Sequence, residues 1–187
     1  AFDALLSVGV DRAVVVVGYR GDAIREHYGD SYRGISVSYA EQAEQLGTAH
    51  ALRQAMPAVD APLVVVNGDN VCRANLGAVV ERHRETDAAA TLLVESVSRE
   101  EARTTGVVET DAEGRPTGFV EKPAEPPSTL VTRGFYAFGS EIRAALARIE
   151  PSERGEYEMP AAVEQLLEAG HRVELVELDG WCRNVNE

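Results

Sequence analysis

Strand-length apolar runs alternate with helix-period segments along most of this chain. Phe2–Ser7 reads as a short helix, and the turn Val8-Gly9-Val10-Asp11 leads into a β-branched run over residues 14–17, closed by Gly18. An amphipathic segment, 22–28, precedes the alternating Ile35-Ser36-Val37-Ser38-Tyr39; a helix over Thr48–Ala55 follows, stopped by Pro57. Leu63–Val66 is a second continuous apolar run, and 76–84 has the spacing of a helix. Apolar strands separated by helices in this way predict a largely parallel sheet covered on both faces.

The pattern then changes. Residues 88–94 are strand-like, and 106–110 and 118–120 flank Asp111-Ala112-Glu113-Gly114, which has the composition of a hairpin turn. A β-rich layer inserted into the α/β frame is the reading that fits. Residues 134–138 are a strand, 140–149 and 159–169 are helices, and 172–178 is a last strand. With no internal repeat or low-complexity linker, residues 1–187 are expected to form one α/β domain.

Composition narrows the class. A chain of 187 residues, 44% hydrophobic, can bury one substantial core. Its formal charge of -13 repels the phosphates of nucleic acids and anionic lipid surfaces, so neither is an expected partner. A small anionic substrate is still admissible, because a bound divalent cation with a local Lys or Arg can invert the field inside a cleft. The surplus of Asp and Glu would also suit a high-salt cytoplasm. No stretch approaches the roughly 20 apolar residues of a membrane span, and residues 1–10 lack the basic leader of a signal peptide, so a cytoplasmic protein is expected.

Cys72 and Cys182 lie far apart without CxxC spacing, which suggests two idle thiols and neither a zinc site nor a disulfide. His27, His50, His83 and His171 are scattered without metal-ligand spacing, and each is expected to be structural or exposed.

Four segments could carry chemistry. Val64-Val65-Val66-Asn67-Gly68-Asp69-Asn70 is an apolar strand ending in a polar cluster. Ligands of open α/β sheets bind beyond the carboxyl ends of strands, so Asp69 is a candidate metal ligand, with Gly68 permitting close backbone approach. An aspartate after a strand is also what a turn or helix cap selects. Between a strand and a helix lies Gln42-Ala43-Glu44-Gln45-Leu46-Gly47-Thr48-Ala49. Here the Gln42 amide could pair with a base edge through one donor and one acceptor, Gly47 could admit a flat ligand, and Thr48 could cap the helix or donate a hydrogen bond. A capped loop without a ligand fits the same residues.

In Phe119-Val120-Glu121-Lys122-Pro123, Glu121 could hold sugar hydroxyls and Lys122 a phosphate, although an exposed ion pair is the commoner use of such neighbours. In the tail, Trp181-Cys182-Arg183-Asn184-Val185-Asn186, either Asn184 or Asn186 could add an oxygen ligand to the cation of Asp69.

Read in order, these segments resemble the sugar nucleotidylyltransferase family. Residues 42–48 look especially like the uridylyltransferase domain that acts on N-acetylglucosamine 1-phosphate, and Gly68-Asp69 looks like the family's metal aspartate. Gly106 matches a backbone contact to the sugar and Glu121-Lys122-Pro123 the sugar-phosphate signature, while residues 133–138 and Gly155-Glu156-Tyr157-Glu158 resemble the pocket strand and its Gly-Glu-Tyr turn. The resemblance implies a Rossmann-like, three-layer, mixed but mostly parallel sheet with an inserted sugar-binding layer. It also implies transfer of a nucleotidyl group from UTP or dTTP to a sugar 1-phosphate with Mg²⁺. The implied roles are Asp69 and Lys122 in catalysis, Asp69 and Asn184 on the metal, Gln42, Gly47, Thr48 and Gly68 on the nucleotide, and Gly106, Glu121 and Thr132 on the sugar. A homo-oligomer is compatible with this reading but not required by it.

Two departures qualify the expectation. Family members open with a strand and a glycine-rich loop containing Gly-Thr-Arg, which bind the triphosphate; residues 1–34 hold no match, so a domain shortened at its N-terminus, weakly active by itself, is expected. The strand at 14–17 should then present an open edge. Where many relatives carry Asn, this chain has Thr132, which weakens the case for an N-acetylated sugar. The alternative is a non-catalytic regulatory or scaffold relative. A glycosyltransferase would want an Asp-x-Asp motif, and here Asp69 is followed by Asn70 and Val71.

Overall fold

The computed structural model describes residues 1–185. Its helices are α1 (Phe2–Ser7), α2 (Gly21–Tyr28), α3 (Thr48–Ala55), α4 (Gly77–Thr86), α5 (Ile142–Arg148) and α6 (Met159–Glu168). The strands are β1 (Arg12–Val17), β2 (Ser31–Tyr32), β3 (Ile35–Glu41), β4 (Leu63–Val66), β5 (Asn70–Ala74), β6 (Ala90–Ser96), β7 (Gly106–Thr110), β8 (Pro116–Glu121), β9 (Leu130–Phe138), β10 (Val173–Glu177) and β11 (Gly180–Asn184).

One sheet runs β1-β3-β2, with β1 and β3 parallel. The larger sheet runs β10-β6-β9-β7-β8, with β4 also paired to β9. Because β4, β6 and β7 all run against β9 while β10 is parallel to β6, four strands of this sheet share a direction, and β9 and β8 run the opposite way. The α/β class is as expected, and the hairpin of β7 and β8 is the inserted β-rich layer.

Why the apolar runs are continuous is visible in the packing. On β9, Tyr136 and Phe138 face the cluster built with α3, α5 and α6, while Phe135 and Ala137 face the cluster built with α4. On β6, Leu92 and Val94 face the first and Leu93 the second; on β4, Leu63 and Val65 divide from Val64 and Val66 in the same way. Successive side chains of a strand point to opposite faces, so a strand covered on both sides must be apolar at every position. Among the described residues, no helix is long and apolar enough to cross a membrane.

Three strands have no signal in the local pattern: the two-residue β2, and β5 and β11. β5 and β11 pair antiparallel, setting Cys182 opposite Cys72 and Asn184 opposite Asn70. The cysteines, expected to be idle thiols, are joined by a disulfide, with Cα atoms 4.1 Å apart at a sequence separation of 110. Sequence separation hid the bridge, because only the return of β11 onto β5 brings the two sulfurs together.

The edge foreseen for β1 is also present. Among the described residues β1 pairs with β3 alone and β4 with β9 alone. Their opposite edges both line a cavity of about 720 Å³, walled by residues 12–16 on one side and 62–69 on the other.

Candidate functional site

The turn from β4 into β5 carries Asn67-Gly68-Asp69 and is stapled to β9. Asn67 donates its backbone N–H to the Gly134 carbonyl at 2.8 Å, and the Asn70 amide donates to the Arg133 carbonyl at 3.0 Å. Gly134 makes this approach feasible: its φ is +63°, and a Cβ there would collide with the side-chain amides of Asn67 and Asn70. Asp69 then projects from the turn, where its Oδ2 accepts a hydrogen bond from Asn184 Nδ2 at 2.9 Å. A second tie, from the Val185 N–H to the Asp69 carbonyl at 2.8 Å, fixes the same corner. Asn184 arrives there through the β5–β11 ladder; Asn186, the other candidate ligand, lies outside the described residues.

Among the described residues there is no group of three or more His, Cys, Asp or Glu suited to hold a metal. The pair nonetheless fits a hard cation that keeps most of its waters, since it offers a carboxylate and, with the Asn184 amide turned end for end, an amide oxygen. Gly68 has no heavy atom within 4 Å of where a Cβ would sit, so the rim beside Asp69 is open.

A second group forms where the β7–β8 hairpin meets β9. Gly106 is in register with Glu121, and its neighbour Val107 with Val131. A Cβ on Gly106 would lie 3.0 Å from both Glu121 Oε2 and Thr132 Oγ1, so these two oxygens converge over the glycine. Burial pushes the Glu121 carboxyl above its ordinary value; the Lys122 ammonium opposes this and the Glu158 and Glu156 carboxylates add to it. Lys122 has φ +45° and places Nζ 3.8 Å from Glu121 Oε1, with its side chain half exposed. Thr132 is buried, 3.4 Å from the Tyr136 hydroxyl. That phenol is pushed up to about 12 by burial, with the Glu121 and Asp69 carboxylates contributing in the same direction.

The third group stands at the carboxyl ends of β1 and β3. Gly18 approaches residues 42–45 so closely that a Cβ would be 3.2 Å from both the Gln42 carbonyl and Gln45 Nε2. Gly47 has φ +98°, and a Cβ there would run into the Tyr157 backbone. Around it, Tyr157 N–H donates to the Leu46 carbonyl at 2.7 Å and Ala49 N–H to the Tyr157 carbonyl at 3.0 Å. Thr48 does not cap its own helix; Gly47 holds the N-cap position, and the Thr48 hydroxyl accepts from Met159 N–H at 3.2 Å at the start of α6.

Gln42 also differs from the sequence expectation of one donor and one acceptor on offer. Its Nε2 donates to the Gly47 carbonyl at 3.1 Å and lies 2.9 Å from His50 Nδ1, which engages both amide hydrogens. His50 was read as structural or exposed, and the structure makes it a partner of the loop. The available signal was its spacing from Gln54, one helical turn on, whose amide lies 3.0 Å from His50 Nε2. Thr48, Gly68 and Asp69 line the same cavity, so the start of α3 and the Asp69 turn open onto one space.

A profile of the family described as nucleotidyl transferase matches residues 1–182. The chain is 45% identical over 180 residues to the UTP–glucose-1-phosphate uridylyltransferase AglF of Haloferax volcanii, spanning 96% of this chain and 74% of that protein. It is 35% identical over 187 residues to a glucose-1-phosphate thymidylyltransferase of Streptomyces griseus, covering 97% of this chain but only 51% of that protein, about half its length. A UDP-glucose pyrophosphorylase crystallised with UDP-glucose superposes with a TM-score of 0.89 over 99% of this chain and 79% of its own, at 19% identity, and so shares its fold. A strand-end aspartate tied to the last strand, and glycine-supported loops at the carboxyl edge of an α/β sheet, are thus set in a sequence that matches one family nearly end to end: the chain belongs to the nucleotidyl transferase family.

Proposed function

We propose that this chain carries the nucleotide, sugar and metal sites of an enzyme that transfers a uridylyl or thymidylyl group to a sugar 1-phosphate, of which glucose 1-phosphate is the first candidate. The observation that carries the reading is the convergence of the Asn184 and Asp69 side chains, 115 residues apart in sequence, with Asp69 on the wall of the cavity. The names of the relatives from Haloferax volcanii and Streptomyces griseus support the choice of glucose 1-phosphate and of a pyrimidine nucleotide.

In the proposed reaction a phosphate oxygen of the sugar 1-phosphate forms a bond to the α-phosphorus of the nucleoside triphosphate, and the bond from that phosphorus to the bridging oxygen breaks, releasing pyrophosphate. The nucleophile is already anionic near neutral pH, so the residues position and neutralise and need not remove a proton. Glu121 accepts hydrogen bonds from sugar hydroxyls over Gly106, and Thr132 closes the buried side of that pocket. Lys122, half exposed beside Glu121, neutralises the sugar phosphate. The loop of Gln42, Gly47 and Thr48 receives the base, and Gly68 lets the nucleotide approach the backbone. Mg²⁺ held by Asp69 and Asn184 would supply Lewis-acid neutralisation and a template for aligning the phosphates.

The test is pyrophosphate release from UTP or dTTP with glucose 1-phosphate and Mg²⁺, by the wild-type protein and by Asp69→Asn. Release by the wild type with a loss of at least about a hundredfold in the variant is expected. Equal release by both would remove Asp69 from the metal role.

A further inference from the structure

We propose that His50 is a positioning residue that sets which base the site accepts, by holding Gln42 so that only its amide oxygen faces the ligand. The inference rests on the base-pocket reading above and goes beyond it by assigning the choice of base to a side chain that need not touch the base.

The argument is one of donors and acceptors. A backbone carbonyl can only accept, so the Gln42 amide end 3.1 Å from the Gly47 carbonyl must be the nitrogen. That nitrogen has a second hydrogen, and it meets His50 Nδ1 at 2.9 Å. Nδ1 must therefore accept, which puts the imidazole proton on Nε2. The Gln54 amide end 3.0 Å from Nε2 is then its oxygen, with that amide turned end for end. One consistent assignment runs from Gly47 to Gln54, and it consumes both hydrogens of Gln42. No hydrogen bond among the described residues reaches Gln42 Oε1.

Packed neighbours frame His50. Its ring stacks near Tyr157, centroids 6.1 Å apart and planes 30° apart, and the Arg53 guanidinium lies 4.4 Å from the centre of the same tyrosine ring. The Tyr157 backbone is bonded on both sides of Gly47, to Leu46 and to Ala49. His50, Gln42 and the glycine loop are thus braced against one residue.

An amide that offers only an acceptor selects a base with an N–H in the facing position. Uracil and thymine carry that hydrogen on the ring nitrogen between their carbonyls; cytosine has a bare nitrogen there, and two acceptors would face each other. Removing the His50 acceptor releases one Gln42 N–H, which can then donate to cytosine. The loss of His50 should therefore admit a cytosine nucleotide, where a merely structural role would weaken all nucleotides alike.

The experiment is calorimetric titration of UDP-glucose and CDP-glucose, which differ only in the base, into the wild-type chain and into His50→Phe, His50→Asn and Gln42→Ala. Phe keeps a ring against Tyr157 without the acceptor, and Asn restores an acceptor near the position of Nδ1; His50→Ala replaces the Phe variant if that variant fails to fold. The wild type is expected to prefer UDP-glucose by about tenfold or more. In His50→Phe the ratio should fall to within about threefold, chiefly through tighter binding of CDP-glucose, and His50→Asn should keep most of the preference. A ratio unchanged in His50→Phe but lost in Gln42→Ala overturns the role of His50 and leaves the base pocket standing, as does equal weakening of both ligands. A wild type that binds neither ligand or shows no preference, or a preference untouched by either substitution, overturns both readings.

Discussion

Asn184 donates to the Asp69 carboxylate at 2.9 Å across 115 residues of sequence, so the last strand of the fold is part of the corner proposed to hold the metal. Asp69→Asn keeps size and shape while removing the charge. It should leave circular dichroism and melting temperature near those of the wild type and weaken Mg²⁺-dependent retention of nucleotide at least about tenfold, read by titration with and without the cation.

Gly47→Ala tests the packing of the base loop against Tyr157. A residue with φ +98° and the Tyr157 backbone in the path of its Cβ cannot gain a methyl group without displacing the loop. A loss of about 2 kcal/mol or more in denaturant unfolding is expected. Gly68→Ala, with nothing within 4 Å of its Cβ position, should cost far less in the same measurement.

Glu121 provides a pH signature. Its folded-state carboxyl is raised, first by burial, so the charged form is disfavoured in the fold and the folded protein holds this proton to higher pH than the unfolded chain. The penalty from Glu121 is thus full above the raised value and fades as pH falls toward the ordinary 4.5. Glu121→Gln should raise the melting temperature at pH 7 and give a smaller gain near pH 4. A gain that grew toward low pH would contradict the burial of that charge.

The Cys72–Cys182 bridge closes a loop of 110 residues. In the chain-entropy account such a closure contributes about 4–5 kcal/mol, so Cys72→Ser, or a dithiol reductant on the wild type, should move the denaturant midpoint down substantially. The reductant should have no effect on the variant.

What the residues announced and what they concealed follow from range. β4, β6 and α3 were legible because their patterns are local: a strand buried on both faces must be apolar throughout, and Pro57 sits just past the end of α3. β5 and β11 were not, since Asn70–Ala74 and Gly180–Asn184 are short, half-polar segments that become strands only by pairing with each other. The disulfide was lost with them. Within the candidate site, residue type and order singled out Asp69, Glu121 and Asn184, and the fold sets Asn184 against Asp69. The engagement of both Gln42 hydrogens was hidden, because it depends on the rotation of one amide relative to His50 and Gly47, which spacing does not encode.

The turn through residues 154–158 serves two neighbours at once. Its Tyr157 backbone bonds to the loop that follows Gln42, while Arg154, Glu156 and Glu158 contribute to the field at the Glu121 carboxyl. A ligand that shifts this turn from one side alters what the other side meets, and thermodynamic reciprocity then requires each ligand to change the affinity of the other by the same factor. If base and sugar bind as proposed, their seating would be linked through residues 154–158.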